Sequence, residues 1–118
     1  MRLHTPRHSQ QSASVLSVVA VTRNDDHGES LLARVQHFVD CLAFQFDHHG
    51  LRAELILVEW NPPADRPPLI EALDWPLSQH LGVRIVHVPK AVHDTFPHSH
   101  LINLHQMIGK NVGIRRAR

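Results

Sequence analysis

Three stretches of this chain consist almost entirely of β-branched and other apolar residues, and one long amphipathic stripe lies between the first two. That alternation constrains the fold more than any other feature. Val15-Leu16-Ser17-Val18-Val19-Ala20-Val21-Thr22 and Ala53-Glu54-Leu55-Ile56-Leu57-Val58-Glu59-Trp60 lack the in–out polarity of a half-exposed strand. Val83-Arg84-Ile85-Val86-His87-Val88 is a third such run, closed by Pro89. Runs of this length and composition predict strands covered on both faces, as in a parallel sheet. Between them, Leu31, Leu32, Val35, Phe38, Val39, Leu42, Ala43 and Phe46 fall on one helical stripe. Asp26 and Glu29 have capping-box spacing, and Gly50 after His48-His49 is a helix stop.

The remaining segments are shorter. Prolines at 62, 63, 67 and 68 exclude a regular element after the second strand. Leu69 to Leu73 predicts a short helix ended by Trp75-Pro76, and Lys90 to Ser99 an irregular loop. A last helix is expected from near Ser99, with Leu101, Leu104, Ile108 and Val112 on one face. Residues 1–14 are polar and aperiodic and read as a disordered leader, leaving 15–118 as the ordered portion. The order β-α-β-(short α)-β-loop-α predicts an α/β fold, a parallel sheet of three strands with flanking helices. A helix of that kind returns the chain to a further strand, so the expected sheet is incomplete.

At 118 residues the chain allows one domain, and a formal net charge of +1 supplies no global field toward nucleic acid or membrane. The charge is unevenly placed. Residues 1–14 and 109–118 hold basic groups and no acids, leaving six basic and eleven acidic groups between them. The basic C-terminus has no interleaved aromatic, which makes a poor nucleic-acid platform. A single cysteine, Cys41, excludes an internal disulfide, and its place in the first helix predicts a buried, inert thiol. No apolar run is long enough for a membrane span and no signal-peptide core is seen, so the default location is cytoplasmic.

In open parallel sheets, ligands bind beyond the carboxyl ends of the strands. The residues expected there are Thr22, Arg23, Asn24 and Asp25 after the first strand, Glu59, Trp60 and Asn61 after the second, and Pro89, Lys90 and His93 after the third. Arg23 suits a phosphate, and Glu59 could accept hydrogen bonds from a base or ribose; turn and capping roles are the alternative for both. Lys110 and Asn111 lie one and two steps past the apolar row of the last helix, placed to face a cleft or to end the helix in solvent. Twelve histidines invite a metal-binding reading. Yet the spacing of His93, His98, His100 and His105 matches no recurrent zinc pattern, so no metal site is assigned from it. His93, beside the expected cleft, is the one kept as a ligand contact. No Walker loop, Gly-x-Gly-x-x-Gly, Gly-x-Ser-x-Gly or His-Glu-x-x-His is present.

The strand ends Thr22-Arg23-Asn24-Asp25, Val58-Glu59-Trp60-Asn61-Pro62-Pro63 and His87-Val88-Pro89, followed by Lys110-Asn111-Val112-Gly113-Ile114-Arg115-Arg116-Ala117, occur in a telling order. Together they resemble the N-terminal, nucleotide-binding half of a family 2-like glycosyltransferase of the GT-A, Rossmann-like fold, over residues 15–118. The resemblance implies a nucleotide-sugar ligand, UDP- or GDP-linked. Thr22, Arg23, Asn24 and Asp25 would line the nucleotide pocket, and Glu59 would stand where the family places a base-reading acid, usually aspartate. Lys110 and Asn111 would approach the phosphates or ribose, and the basic C-terminus would form one wall of a diphosphate cleft. In the family the next strand carries an Asp-x-Asp motif that holds Mn²⁺ or Mg²⁺, and the acceptor half follows. Neither is in this sequence, so the resemblance implies sugar-nucleotide binding without catalysis by this chain alone, and an exposed edge at Val15–Thr22. The other readings carried forward are a self-sufficient nucleotide- or anion-binding α/β module and a histidine-rich metal-binding protein.

Overall fold

The structure is a computed structural model, and it describes residues 1–6 and 14–118. Strand β1 (Arg2–His4) is followed by β2 (Leu16–Thr22), helix α1 (Leu31–His49), β3 (Ala53–Trp60), α2 (Leu69–Ala72), β4 (Leu81–Val88), α3 (Lys90–His93) and α4 (Gln106–Ile114). The sheet order is β1-β4-β3-β2. β2, β3 and β4 are parallel, as the buried-type runs predict, and β1 pairs antiparallel with β4. The sheet is therefore four-stranded and mixed rather than three-stranded and parallel.

The fourth strand comes from the expected leader. Arg2, Leu3 and His4 pair with His87, Val86 and Ile85 and cover the free edge of β4. Three residues carry no readable periodicity, so only the waiting edge makes them a strand. The rest of the leader expectation falls largely on residues 7–13, outside the described residues. At the opposite edge β2 has a neighbour on one side only among the described residues, and Leu16 is half exposed.

Each face of the sheet has its own core. Leu55 and Leu57 of β3 and Ile85 of β4 pack under α1 through Val39 and Ala43, with Leu69 of α2 joining them. Burying each such side chain contributes about 1.5–3 kcal/mol. Ile56, Val58, Trp60, Val86 and Val88 face the other way, against Ile108 and Val112 of α4. That helix approaches closely because Gly109 and Gly113 face the sheet. A Cβ at Gly109 would lie 2.8 Å from Val21 Cγ1, and one at Gly113 would lie 2.5 Å from Val19 Cγ1.

Three local expectations change. Helix α1 begins at Leu31 without a capping box. Asn24, Asp26, Gly28, Glu29 and Ser30 all have positive φ, and the looped-back chain brings Asp26 Oδ1 to the Leu31 N–H at 2.9 Å. Gly50 does end the helix, at φ 63°, with the Leu51 N–H bonded to the Phe46 carbonyl. Lys90–His93 is a helical turn rather than irregular loop. Helix α4 starts at Gln106 instead of near Ser99, because His98 has φ 64° and the Asn103 carbonyl accepts a hydrogen bond from Asn61 Nδ2 at 3.1 Å. Leu101 is consequently exposed, while Leu104 still reaches the core from the connecting loop. Cys41 is half-buried, with Sγ 3.5 Å from His37 Nε2. No helix among the described residues is long and apolar enough to cross a membrane.

Candidate functional site

The carboxyl ends of β2, β3 and β4 open onto two clefts that meet at Arg23. One, of about 580 Å³, is lined by Arg23, Asn61, Lys90, His93, His100 and Asn103 among others. The second, of about 610 Å³, includes Thr22, Arg23, Asp25, Arg34, Asn103 and Gln106. This is where an open parallel sheet offers a ligand site.

Arg23 is held without being used up. Its Nε–H donates to the Asn61 carbonyl at 2.9 Å and Nη1 to Asp25 Oδ2 at 3.3 Å, while Nη2 has no partner among the described residues. The Asn61 backbone, at φ 45°, makes that carbonyl available, and its own N–H bonds the Val88 carbonyl at 2.7 Å. Burial works against ionisation of Asp25, but the His27 N–H and Arg23 outweigh it and hold the carboxyl below its ordinary range. A fixed guanidinium with a free edge suits bidentate binding of an oxyanion. Lys90, across the first cleft, pairs with Asp94 at 2.6 Å on the surface.

Beneath this rim lies a buried polar cluster. Glu59 is 1% exposed and lines neither cleft. Its Oε2 accepts from Asn24 Nδ2 at 3.1 Å and from the Leu69 N–H at 2.9 Å, and its Oε1 lies 3.2 Å from His87 Nδ1. Asn24, at φ 61°, also donates to the Pro67 carbonyl at 2.9 Å, and its Oδ1 is buried with no partner. The acid that the resemblance assigns to a base is here engaged by the fold: it joins the β2 loop, the start of α2 and β4.

The structure brings Thr22, Arg23 and Asp25 together at the clefts and sets Asn24 and Glu59 just below them. Lys110 and Asn111 line neither cleft. Helix α4 runs back along the sheet, so Gln106 reaches the cleft while its C-terminus arrives at the opposite end. There the Arg118 N–H bonds Glu54 Oε1 at 2.7 Å and the Arg116 carbonyl accepts from Arg84 Nη2. Arg115, Arg116 and Arg118 are thus remote from the clefts, and the expected diphosphate wall at the basic C-terminus is corrected by the direction of α4.

His93 lines the first cleft, but both ring nitrogens are engaged: Nδ1 accepts from Trp60 Nε1 at 2.8 Å, and Nε2 lies 3.1 Å from the Ser99 carbonyl. His93, His105, Trp60 and Phe96 form one ring cluster, with the two imidazoles 5.0 Å apart. Among the described residues no three His, Cys, Asp or Glu side chains converge as a metal ion requires. Sequence reasoning missed Asn103 and Arg34 in the clefts and His87 beside Glu59. The only sequence signal for His87 is a lone imidazole inside an apolar strand run, which by itself reads as core. No protein-family model, curated protein or solved structure matches this chain.

Proposed function

We propose that residues 15–118 bind a nucleotide sugar, UDP- or GDP-linked, as the nucleotide-binding portion of a glycosyltransferase-like domain. The observation that carries this reading is Arg23: a braced guanidinium with one unpartnered edge, standing between two joined polar clefts at the carboxyl ends of parallel strands. The diphosphate would pair with Arg23, with Lys90 within the same cleft. Thr22, Asp25, Asn61 and Asn103 offer hydrogen bonds to ribose or sugar hydroxyls. The proposed role is binding; among the described residues no group of three His, Cys, Asp or Glu side chains is placed to hold a metal ion.

Titration calorimetry with UDP- and GDP-sugars, with and without Mn²⁺, tests this directly. Binding that Arg23→Gln weakens by about tenfold or more, at unchanged thermal stability, supports it; a charge-assisted bond of that kind is worth about 1.5–3 kcal/mol. Wild-type affinity in that variant overturns it.

The internal engagement of Glu59 favours a second reading, a nucleotide- or anion-binding module that grips phosphate without reading the base. Equal, metal-independent affinity for UDP, GDP and inorganic diphosphate would select this reading over the first.

A further inference from the structure

A third cleft, of about 570 Å³, lies on the other side of the sheet's carboxyl edge, between β1, β4 and α2. It shares no residue with the two clefts at Arg23. Its functional groups are Arg2, His4, Glu71 and His87. We propose that this cleft binds a small tetrahedral oxyanion, and that protonation of His87 sets its affinity.

The register carries the first half. Arg2 lies directly opposite His87 across the β1–β4 ladder, so the two side chains leave the sheet on the same face, and His4 follows two residues along it. Neither Arg2 nor His4 makes a side-chain hydrogen bond or ion pair among the described residues. Their donors remain available to a ligand. The guanidinium suits phosphate or sulfate oxygens bidentately.

The buried cluster carries the second half. Glu59 lies behind His87, and Asn24 Nδ2 and the Leu69 N–H both donate to its other oxygen. A carboxylate in that setting accepts from Nδ1–H, which leaves Nε2 as the nitrogen on the cleft side. Deprotonated, Nε2 presents a lone pair and repels an anion; protonated, it donates beside Arg2. Anion binding and proton uptake are thereby linked. The charged and titratable groups that line the cleft or contact His87 are Glu59 from β3, Arg2 and His4 from β1, the α-amino group of Met1 beside them, and Glu71 from α2. Among the described residues Glu71 is the one carboxylate lining the cleft, and it opposes the anion from its α2 side.

The experiment is a sulfate titration of the full chain, because sulfate keeps its charge between about pH 5 and about pH 8. Imidazole C–H NMR signals are followed, with His87 assigned through His87→Gln. Sulfate should move the His87 titration midpoint upward and bind about tenfold or more tightly at the acid end. Arg2→Gln should weaken sulfate by about fivefold or more while leaving nucleotide-sugar binding at Arg23 unchanged. Glu71→Gln should tighten it. Arg2 is exposed, so its variant keeps the test open even if His87→Gln folds poorly. An unmoved His87 midpoint in saturating sulfate, or wild-type sulfate affinity in Arg2→Gln, overturns the proposal.

Discussion

Trp60 donates its indole N–H to His93 Nδ1 at 2.8 Å, with the indole fully buried and the imidazole 2% exposed. This bond ties the end of β3 to the turn after β4 and closes the floor of the first cleft. His93→Phe keeps the ring volume but leaves the indole N–H and the Ser99 carbonyl without their partner. A buried donor so stranded costs about 1–3 kcal/mol. Urea unfolding followed by tryptophan fluorescence should show that loss as a lower midpoint, and an unchanged midpoint would mean that Trp60 finds another acceptor.

Gly113 allows α4 to lie against β2 and β3. Gly113→Ala places a Cβ 2.5 Å from Val19 Cγ1, on a β-branched side chain with little rotameric freedom. Overpacking of about 1–3 kcal/mol is expected. Adding Val19→Ala should recover part of it, with a coupling of about 0.5–3 kcal/mol in a double-mutant cycle. Simple additivity of the two changes would count against the contact.

Glu54 and Arg84 form a buried pair at the amino end of the sheet, with Arg84 Nε 3.1 Å and Nη2 2.5 Å from Glu54 Oε2. Burial raises the Glu54 carboxyl, but the Arg118 N–H, the Ser17 hydroxyl and Arg84 outweigh it and hold it below the ordinary value of 4.5. A depressed carboxyl stabilises the fold fully above its unfolded value, and that contribution is lost as pH falls through the folded one. Acid unfolding should therefore steepen below about pH 4.5. Arg84→Met strands a buried carboxylate at a cost of about 3–5 kcal/mol near neutral pH. Its deficit relative to wild type should shrink on acidification as Glu54 takes up a proton; a deficit independent of pH would rule out the charge as its cause.

Glu59→Gln tests the buried hub. Asn24 Nδ2 and the Leu69 N–H both donate to one carboxylate oxygen, with His87 Nδ1 at the other; an amide oxygen accepts from the first two more weakly than a carboxylate, and its NH₂ then faces His87 Nδ1. Destabilisation of about 1–3 kcal/mol is expected, together with faster amide exchange at Leu69. Wild-type protection at Leu69 would show that its N–H bond does not depend on the carboxylate.

Much of the framework was legible in the residues. The three apolar runs and the stripe from Leu31 to Phe46 announce strands and helix because burial on two faces, or on one stripe, leaves a compositional period. Gly50 announces the end of α1 because an αL position favours glycine. The candidate site was legible only as a neighbourhood: strand-end residues collect at the carboxyl edge of a parallel sheet, and Thr22, Arg23 and Asp25 line a cleft there. What their atoms do there was not legible. Glu59 looks from its position like a ligand-reading acid, yet its oxygens meet partners 10, 28 and 35 residues away in the chain.

The sequence alone determined the α/β class and the parallel pairing of the three long strands, because these follow from local periodicity and chain handedness. Only the tertiary structure decided that Arg2–His4 is a fourth strand, that α4 carries its basic end away from the clefts, and that Glu59 and His93 face inward. A free sheet edge, the direction of a helix and the satisfaction of a buried polar atom are set by groups distant in the chain, and no local pattern of residues records them.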